Sequence, residues 1–175
     1  MEIVVPEEFA HLWVESTERP VIKYPSDVLR KIAKPIVKVS KETRELILRM
    51  ENIMRLANGV GLAAPQIGVP ERIIVISPDN KTVVLINPEI TKLEGEVVGV
   101  EGCLSLPALY GDVKRAAIVE VKAINREGKP VKMRLEGLAA RVAQHEIDHL
   151  DGVLFIDKVD LATLHWAMPV GNDAE

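Results

Sequence analysis

The sequence predicts an α+β domain in which short, mostly antiparallel β-sheets wrap around one central helix. Apolar residues recur at three- and four-residue steps in two separate stretches, as they do on the buried face of a helix. Between these stretches, from residue 60 to residue 136, the chain consists of short β-rich runs divided by turn residues. Segregated helices and short strands with tight turns are typical of the α+β class.

Composition and charge agree with a globular domain. The chain has 175 residues, of which 47% are hydrophobic and 27% charged, so it can bury a core of its own. A net charge of -4 favours neither nucleic acid nor an anionic membrane as a general partner. No apolar run approaches the ~20 residues that a membrane span requires.

The cysteine content and the N-terminal region indicate the compartment. A single cysteine cannot form an internal disulfide, which is typical of a reducing environment. The first twenty residues carry five glutamates, whereas signal and transit peptides avoid acidic residues. We therefore expect a cytoplasmic protein without a targeting segment.

We expect three parts along the chain: an N-terminal extension over residues 1–20, a single main domain over residues 21–160, and a short tail over residues 161–175. The extension contains a predicted short helix around Glu7 to Glu15, whose Phe9, Leu12 and Trp13 could dock on the domain.

The two main helices are predicted from caps and periodicity. Ser40 is a suitable N-cap for the first, which closes at Asn58-Gly59. Its apolar positions are Leu46, Met50, Ile53 and Ala57. The second helix runs from about Gly137 to Leu150. A shorter helical piece is expected near residues 24–30, before Pro35.

The strands are predicted from short runs rich in β-branched residues that turn residues separate. The Asn125–Gly128 segment suits a hairpin loop between the last two strands. The predicted strands are Arg72 to Ser77, Val83 to Asn87, Ile90 to Val100, Ala117 to Ile124 and Val131 to Leu135.

The second helix carries the motif His-Glu-x-x-His at residues 145–149. On a helix, two imidazoles four residues apart project from one face, so both can bind one metal ion. Glu146 lies beside the position that a catalytic metal leaves open, where a carboxylate can accept and return a proton. The pattern predicts metal-assisted hydrolysis.

A catalytic site of this kind normally has a third protein ligand. The position six residues after the second histidine, where one class of metalloproteases places a histidine, is Phe155. Downstream of Glu146 the only glutamate is Glu175, at the C-terminus. Cys103, the sole cysteine, is the remaining strong candidate.

A dinucleotide-binding reading of the Gly59–Ala64 segment is also conceivable, because the segment has the form G-x-G-x-x-A. It is rejected by context, since the preceding residues predict a helix where that fingerprint requires a strand. Pro65 also opposes the helix that should follow.

The sequence resembles the peptide deformylases in three stretches that occur in the family's order. These are Gly59–Gly68 (GVGLAAPQIG), Glu101–Pro107 (EGCLSLP) and Gln144–His149 (QHEIDH). The likeness extends from about Tyr24 to Asp157. It implies removal of the formyl group from the N-terminal formyl-methionine of newly made polypeptides, with release of formate.

The resemblance also implies roles for individual residues. Cys103, His145 and His149 would bind the metal, and Glu146 would be the general acid and base. The side chain of Gln66 and the backbone N–H of Leu104 would stabilise the developing oxyanion. Gly61 would lie on the strand edge that binds the peptide backbone. The further candidates for substrate contact are Val142, Ile67 and Gly102.

Fe(2+) is the ion that the resemblance implies as native, and Zn(2+) or Ni(2+) are the expected replacements, since a thiolate and two imidazoles suit all three. The expected partners are N-formyl-methionyl nascent peptides, with transient proximity to the ribosome but no direct binding of nucleic acid or membrane. Many bacterial members use a basic C-terminal helix on the ribosome, whereas this chain ends with Asp173 and Glu175. Docking through such a helix is therefore not expected.

Two alternatives belong to other functional classes. The chain could be another His-Glu-x-x-His hydrolase such as a peptidase, which the missing downstream ligand disfavours. It could instead be a non-catalytic relative that binds metal or peptide, which the presence of Glu146 and Gln66 disfavours, because a binder needs neither a proton carrier nor an oxyanion donor.

Overall fold

The computed structural model describes residues 1–17 and 20–169, and it confirms the α+β class. The two α-helices are α1 (Lys41–Leu56) and α2 (Gly137–Leu150). The strands are β1 (Gly61–Ala63), β2 (Ile73–Ile76), β3 (Val83–Glu94), β4 (Val97–Cys103), β5 (Leu106–Arg115), β6 (Ile118–Ile124), β7 (Pro130–Glu136) and β8 (His165–Trp166).

These strands form two antiparallel sheets. The larger has the order β1-β2-β3-β6-β7, and the smaller has the order β4-β5-β8. Five short 3-10 segments complete the described elements, at Glu7–Trp13, Asp27–Arg30, Ala64–Ile67, Phe155–Asp157 and Leu161–Thr163. None of the helices in the described ranges combines the length and the apolar character needed to cross a membrane.

Helix α1 begins where its cap predicts. The Ser40 hydroxyl accepts the Thr43 backbone N–H at 3.2 Å, and the Thr43 hydroxyl accepts the Ser40 backbone N–H at 3.3 Å. This reciprocal pair satisfies backbone groups that the first turn would otherwise leave unbonded. The buried face of the helix packs against β1 and β2 and comprises Ile47, Met50, Ile53 and Met54.

The predicted strand from Ile90 to Val100 is wrong, because the chain turns within it. Strand β3 ends at Glu94, Gly95 adopts a φ of +65°, and β4 then pairs in the other sheet. The predicted break between Asn87 and Ile90 is also wrong, because β3 runs without interruption through Pro88. The β3–β6 register shifts between Ile86 and Glu89, and such an irregularity tolerates a residue that cannot donate a backbone hydrogen bond.

Three strands were not predicted. Strand β5 contains Pro107 and Gly111, which weaken any strand signal, while β1 and β8 are very short. The N-terminal helix was predicted to reach Glu15, but the structure has a 3-10 segment that ends at Trp13. Helix α2 and the hairpin loop at residues 125–128 agree with the prediction.

Helix α2 is central because both of its sides are covered. One side packs into a core of residues from the larger sheet and contributes Ala140, Ala143, Ile147 and Leu150. The other side carries His145, Glu146 and His149, which are also buried. Helix α2 contacts β1, β2, β6 and β7, so the sheet fixes the direction of the histidine-bearing face.

Glycines with positive φ flank this helix, and they allow a matched test. A Cβ at Gly152 (φ +71°) would lie 2.7 Å from the Arg30 carbonyl carbon, whereas one at Gly137 (φ +57°) would meet no heavy atom within 4 Å. We expect Gly137→Ala to cost about 1 kcal/mol of unfolding free energy through backbone strain alone. Gly152→Ala should cost more than about 3 kcal/mol because a backbone overlap is added.

Urea denaturation of both variants measures this difference. Equal losses at the two positions would show that contact with Arg30 contributes nothing to the effect.

Candidate functional site

Three potential metal ligands meet at the end of the smaller sheet. Cys103 is the last residue of β4, while His145 and His149 stand one helical turn apart on α2. One ligand atom from each lies within 4.8 Å of the others, and Cys103 Sγ is 3.3 Å from His149 Nε2. His149 is 1% exposed and His145 is 9% exposed. A thiolate and two imidazoles at this spacing suit a four-coordinate metal with one open position.

Glu101 orients the first histidine. His145 Nδ1 donates to Glu101 Oε2 at 2.9 Å, which leaves Nε2 as the free ring nitrogen. Such carboxylate–histidine contacts fix the tautomer and ring orientation of a metal ligand.

Two arginines hold Glu101 in turn. Arg115 donates to both of its carboxylate oxygens, at 2.8 and 2.9 Å, and Arg141 donates to Oε1 at 2.7 Å. Burial opposes ionisation of Glu101, but the hydrogen bonds from Arg115 and His145 outweigh it and keep the pKa of this carboxyl well below its usual range. Arg115 also donates to Asp148 at 2.5 Å, so both ends of its guanidinium are used.

The two histidines differ in their electrostatic surroundings. Burial holds the pKa of His149 well below its ordinary value, which favours the neutral imidazole that a metal requires. Burial acts in the same direction on His145, yet hydrogen bonds with Cys103 and Glu101 outweigh it and raise the pKa of His145. An environment that stabilises a proton on His145 would also stabilise a metal cation at that position.

Glu146 is the second carboxyl of the site, and it is placed differently. It is 5% exposed, and burial raises its pKa to about 7. Within the described residues, the buried side-chain atoms that lack a hydrogen-bond partner are Glu146 Oε2 and His149 Nδ1. A carboxyl with a pKa near neutrality can both accept and release a proton under physiological conditions.

Gln66 is buried and its amide is oriented on both sides. The Ala63 backbone N–H donates to Gln66 Oε1 at 2.9 Å, which directs Nε2 towards Ser105 Oγ at 3.2 Å and Cys103 Sγ at 3.6 Å. Its side chain is therefore a positioned donor next to the three ligands. Leu104 follows Cys103 directly in the turn between β4 and β5.

Gly61 is the first residue of β1, at a point where β1 lies very close to α2. A Cβ there would overlap Glu146 Oε1 and would lie 2.7 Å from Val142 Cγ1. Only a hydrogen atom fits between strand and helix at this position. Val142 is 5% exposed and precedes His145 by one turn.

An elongated cleft of about 810 Å³ opens at these residues. Gly61, Gln66, Val142 and Gly102 line it, together with Cys103, His145 and Glu146. Ile67 is not among its lining residues and packs instead in the core between α1 and β2. Among the predicted site residues, Ile67 and His149 are outside this lining, but His149 Nε2 lies 3.3 Å from Cys103 Sγ, which does line the cleft.

Sequence reasoning missed the residues that support the ligands, namely Glu101, Arg115 and Arg141. Glu101 lies in the EGCLSLP motif, two residues before Cys103, but the neighbouring sequence does not indicate which side chain it contacts. Arg141 lies one helical turn before His145, and this spacing was the one available signal. Arg141 also donates to the backbone carbonyl groups of Val97, Gly99 and Val113, and so joins α2 to β4 and β5.

Comparisons with known proteins agree on one family. A model of the polypeptide deformylase family matches residues 18–164. The peptide deformylase of Symbiobacterium thermophilum is 52% identical over 141 residues, which cover 79% of this chain and 65% of that enzyme. The peptide deformylase of Desulforudis audaxviator is 46% identical over 140 residues, which cover 79% of this chain and 91% of that enzyme.

Solved structures agree as well. The peptide deformylase of Thermotoga maritima superposes with a TM-score of 0.78 at 43% identity, covering 80% of this chain and 96% of that one. The Synechococcus elongatus enzyme in complex with actinonin has a TM-score of 0.80 at 40% identity, covering 84% of each chain.

The support of His145 by Glu101 can be tested with Glu101→Gln, which keeps the shape and removes the charge. We expect affinity for Zn(2+) to fall about 10- to 100-fold, because the histidine loses its oriented partner. The unfolding free energy should fall by about 3 kcal/mol, because the buried Arg115 and the partly buried Arg141 lose a counter-charge.

The control is Glu89→Gln, which removes an exposed carboxylate paired with Lys122 at 3.0 Å. This variant should change stability by less than about 0.5 kcal/mol. Chelator competition and urea denaturation measure both quantities. Indistinguishable results for the two variants would contradict a supporting role for Glu101.

Proposed function

Since this chain belongs to the polypeptide deformylase family, we propose that its Cys103, His145 and His149 bind the catalytic metal ion. Peptide deformylases hydrolyse the formamide at the N-terminus of formyl-methionyl nascent polypeptides and release formate. The reaction of this chain is that hydrolysis. The observation that carries the assignment of residues is the cluster of three potential ligands beside a cleft that a buried Glu146 and an oriented Gln66 line.

The residues present fit a metal ion. Their donor atoms comprise one sulfur and two nitrogens, and the nearby Glu101 supplies further negative charge. The family is metal-dependent, and we propose Fe(2+) as the native ion with Zn(2+) or Ni(2+) as replacements. When bound, the ion would act as a Lewis acid towards the formyl oxygen and would lower the pKa of water.

Glu146 would move the protons of the reaction. Its carboxylate accepts a proton from the attacking water. Its raised pKa allows it to hold that proton until the leaving nitrogen accepts it. The same carboxyl then delivers the proton to that nitrogen, and the peptide departs as a free amine. The absence of a partner on Oε2 among the described residues suits this role, since a carboxyl held by an arginine would be a weaker base.

Gln66 and Leu104 would stabilise the transition state. The Gln66 Nε2 group and the Leu104 backbone N–H would donate hydrogen bonds to the negative charge that develops on the formyl oxygen. The hydrogen bond from Ala63 to Gln66 Oε1 orients the amide before substrate arrives. Such prior orientation favours catalysis because no reorganisation is needed during the reaction.

The remaining substrate contacts follow the cleft. The edge of β1 at Gly61 would bind the peptide backbone, with Val142 and Gly102 beside the methionine. Ile67 would affect this site only indirectly, because it packs in the core and does not line the cleft. The family match favours deformylation over the two alternatives, a His-Glu-x-x-His peptidase and a non-catalytic relative.

We further propose that the enzyme acts in the cytoplasm, transiently near the ribosome, and that residues 21–160 form its catalytic domain. The acidic residues Asp173 and Glu175 lie outside the described residues. The packing of Ala33, Val119 and Leu150 in one core supports a single unit over most of this range.

The role of Glu146 is tested by formate release from formyl-Met-Ala-Ser with anaerobically prepared Fe(2+) or Ni(2+) protein. We expect Glu146→Ala to lower kcat by about 10²- to 10⁴-fold, because the reaction loses its proton carrier. Metal content should remain at about one ion per chain, since Glu146 is not among the three ligands.

The metal analysis separates loss of catalysis from loss of the ion. Retained activity in a metal-replete variant would contradict the role of Glu146. Absence of formate from a metal-replete parent would contradict deformylation itself.

A further inference from the structure

The N-terminal segment is an addition to the part of the chain that the family model matches. That match begins at residue 18, yet the structure docks residues 7–13 firmly on the smaller sheet. Phe9 is 5% exposed and Leu12 is 7% exposed, and both pack on Ala108 of β5. We refer to residues 7–13 as the docked segment.

Two tryptophans pack at the contact between the docked segment and the smaller sheet. Trp13 Nε1 donates to the Pro107 backbone carbonyl at 3.0 Å. Phe9 stacks on Trp166 of β8 with the ring centroids 5.5 Å apart, and Trp13 lies 6.0 Å from the same indole. These contacts involve both β5 and β8, and just beyond their pairing the Ala167 backbone N–H donates to the Ala108 carbonyl at 2.9 Å.

The docked segment also reaches the cleft of the active site. The cleft that holds Cys103 and Glu146 is bounded elsewhere by Leu12, together with Pro20, Pro107 and Ala108. Pro107 and Ala108 follow Cys103 closely in the chain, because β4 turns directly into β5 with Cys103 opposite Leu106. The wall that contains Leu12 is therefore adjacent to Cys103 along the β5 side, and Leu12, Pro20, Pro107 and Ala108 give it apolar groups beside the polar Thr17 and Lys23.

A deformylase substrate is a polypeptide whose formyl end alone enters the buried site. The residues after the methionine must leave along the cleft, where they remain within reach of its walls. An apolar wall stabilises an apolar side chain by about 25 cal/mol for each Å² removed from water.

We propose that the docked segment forms a binding wall for substrate residues beyond the methionine, and that Leu12 favours an apolar side chain there. This inference rests on the proposed function. It makes the N-terminal extension a determinant of substrate selection that the family's shared part of the chain does not contain.

The first test compares kcat/KM for formyl-Met-Ala with that for formyl-Met-Ala-Ser-Leu. We expect Leu12→Ala to lower the long-to-short ratio of kcat/KM about 3- to 10-fold, mainly through KM, because truncation of this buried side chain loosens the wall that it holds against Ala108. Leu12→Met should preserve the ratio within about twofold, because it conserves volume and apolarity.

The matched control is Val14→Ala. This side chain is 62% exposed, belongs to the same region and does not line the cleft. Its removal should leave the ratio unchanged. Equal losses of kcat/KM on both peptides with Leu12→Ala, or an equal fall of the ratio with Val14→Ala, would overturn the inference.

A second measurement does not depend on turnover. The chain contains two tryptophans, Trp13 and Trp166, and both belong to the junction of the docked segment. Intrinsic fluorescence should therefore change when the product peptide Met-Ala-Ser-Leu binds and should change little with Met-Ala. The parent spectrum in Leu12→Met would show that the segment is still docked.

The two measurements separate the inference from the function on which it rests. Formate release from neither peptide by metal-replete parent would overturn the proposed function, and the fluorescence titration would still decide the inference. Fluorescence changes that are equal for Met-Ala and Met-Ala-Ser-Leu would overturn the role of the docked segment.

Discussion

The arrangement of the site depends on one buried carboxylate, Glu101. It accepts hydrogen bonds from Arg115, Arg141 and His145, and it is 5% exposed. A buried charge is tolerated only when its partners are in place, and loss of one partner typically costs about 3–5 kcal/mol. Because β4 carries Glu101, β5 carries Arg115 and α2 carries the other two residues, this single group holds the smaller sheet against the central helix.

The same group determines where the three proposed metal ligands meet. Cys103 follows Glu101 by two residues on β4, so fixing Glu101 against α2 also brings the thiol to the two histidines. Glu146 follows His145 on α2, its Oε2 has no hydrogen-bond partner among the described residues, and burial raises its pKa to about 7. One carboxyl therefore stays ionised and orients a ligand, while the other can exchange protons. Two carboxyls with contrasting environments in one site are a common means of dividing catalytic roles.

The cleft combines residues inside the range that the family model matches with a residue that lies before it. The ligands and the residues around Gly61 and Gln66 fall within the range that the family model matches, whereas Leu12 lies before it. The docked segment is bound mainly by aromatic packing on β8, a strand of two residues that would be marginal without such cover. Packing of the docked segment on β8 therefore also places Leu12 at the wall of the cleft.

Sequence alone determined the features that depend on local spacing. The cap at Ser40, the helix from Gly137 to Leu150 and the i, i+4 histidine pair all follow from interactions within a few residues, and motif order indicated Cys103. Tertiary structure decided the features that join distant residues. The turn at Gly95 directs β4 into a second sheet. Glu101 accepts a hydrogen bond from His145, which lies 44 residues further along the chain. Local periodicity carries no information about such partners, because their energy arises only when the packed sheets remove both groups from water.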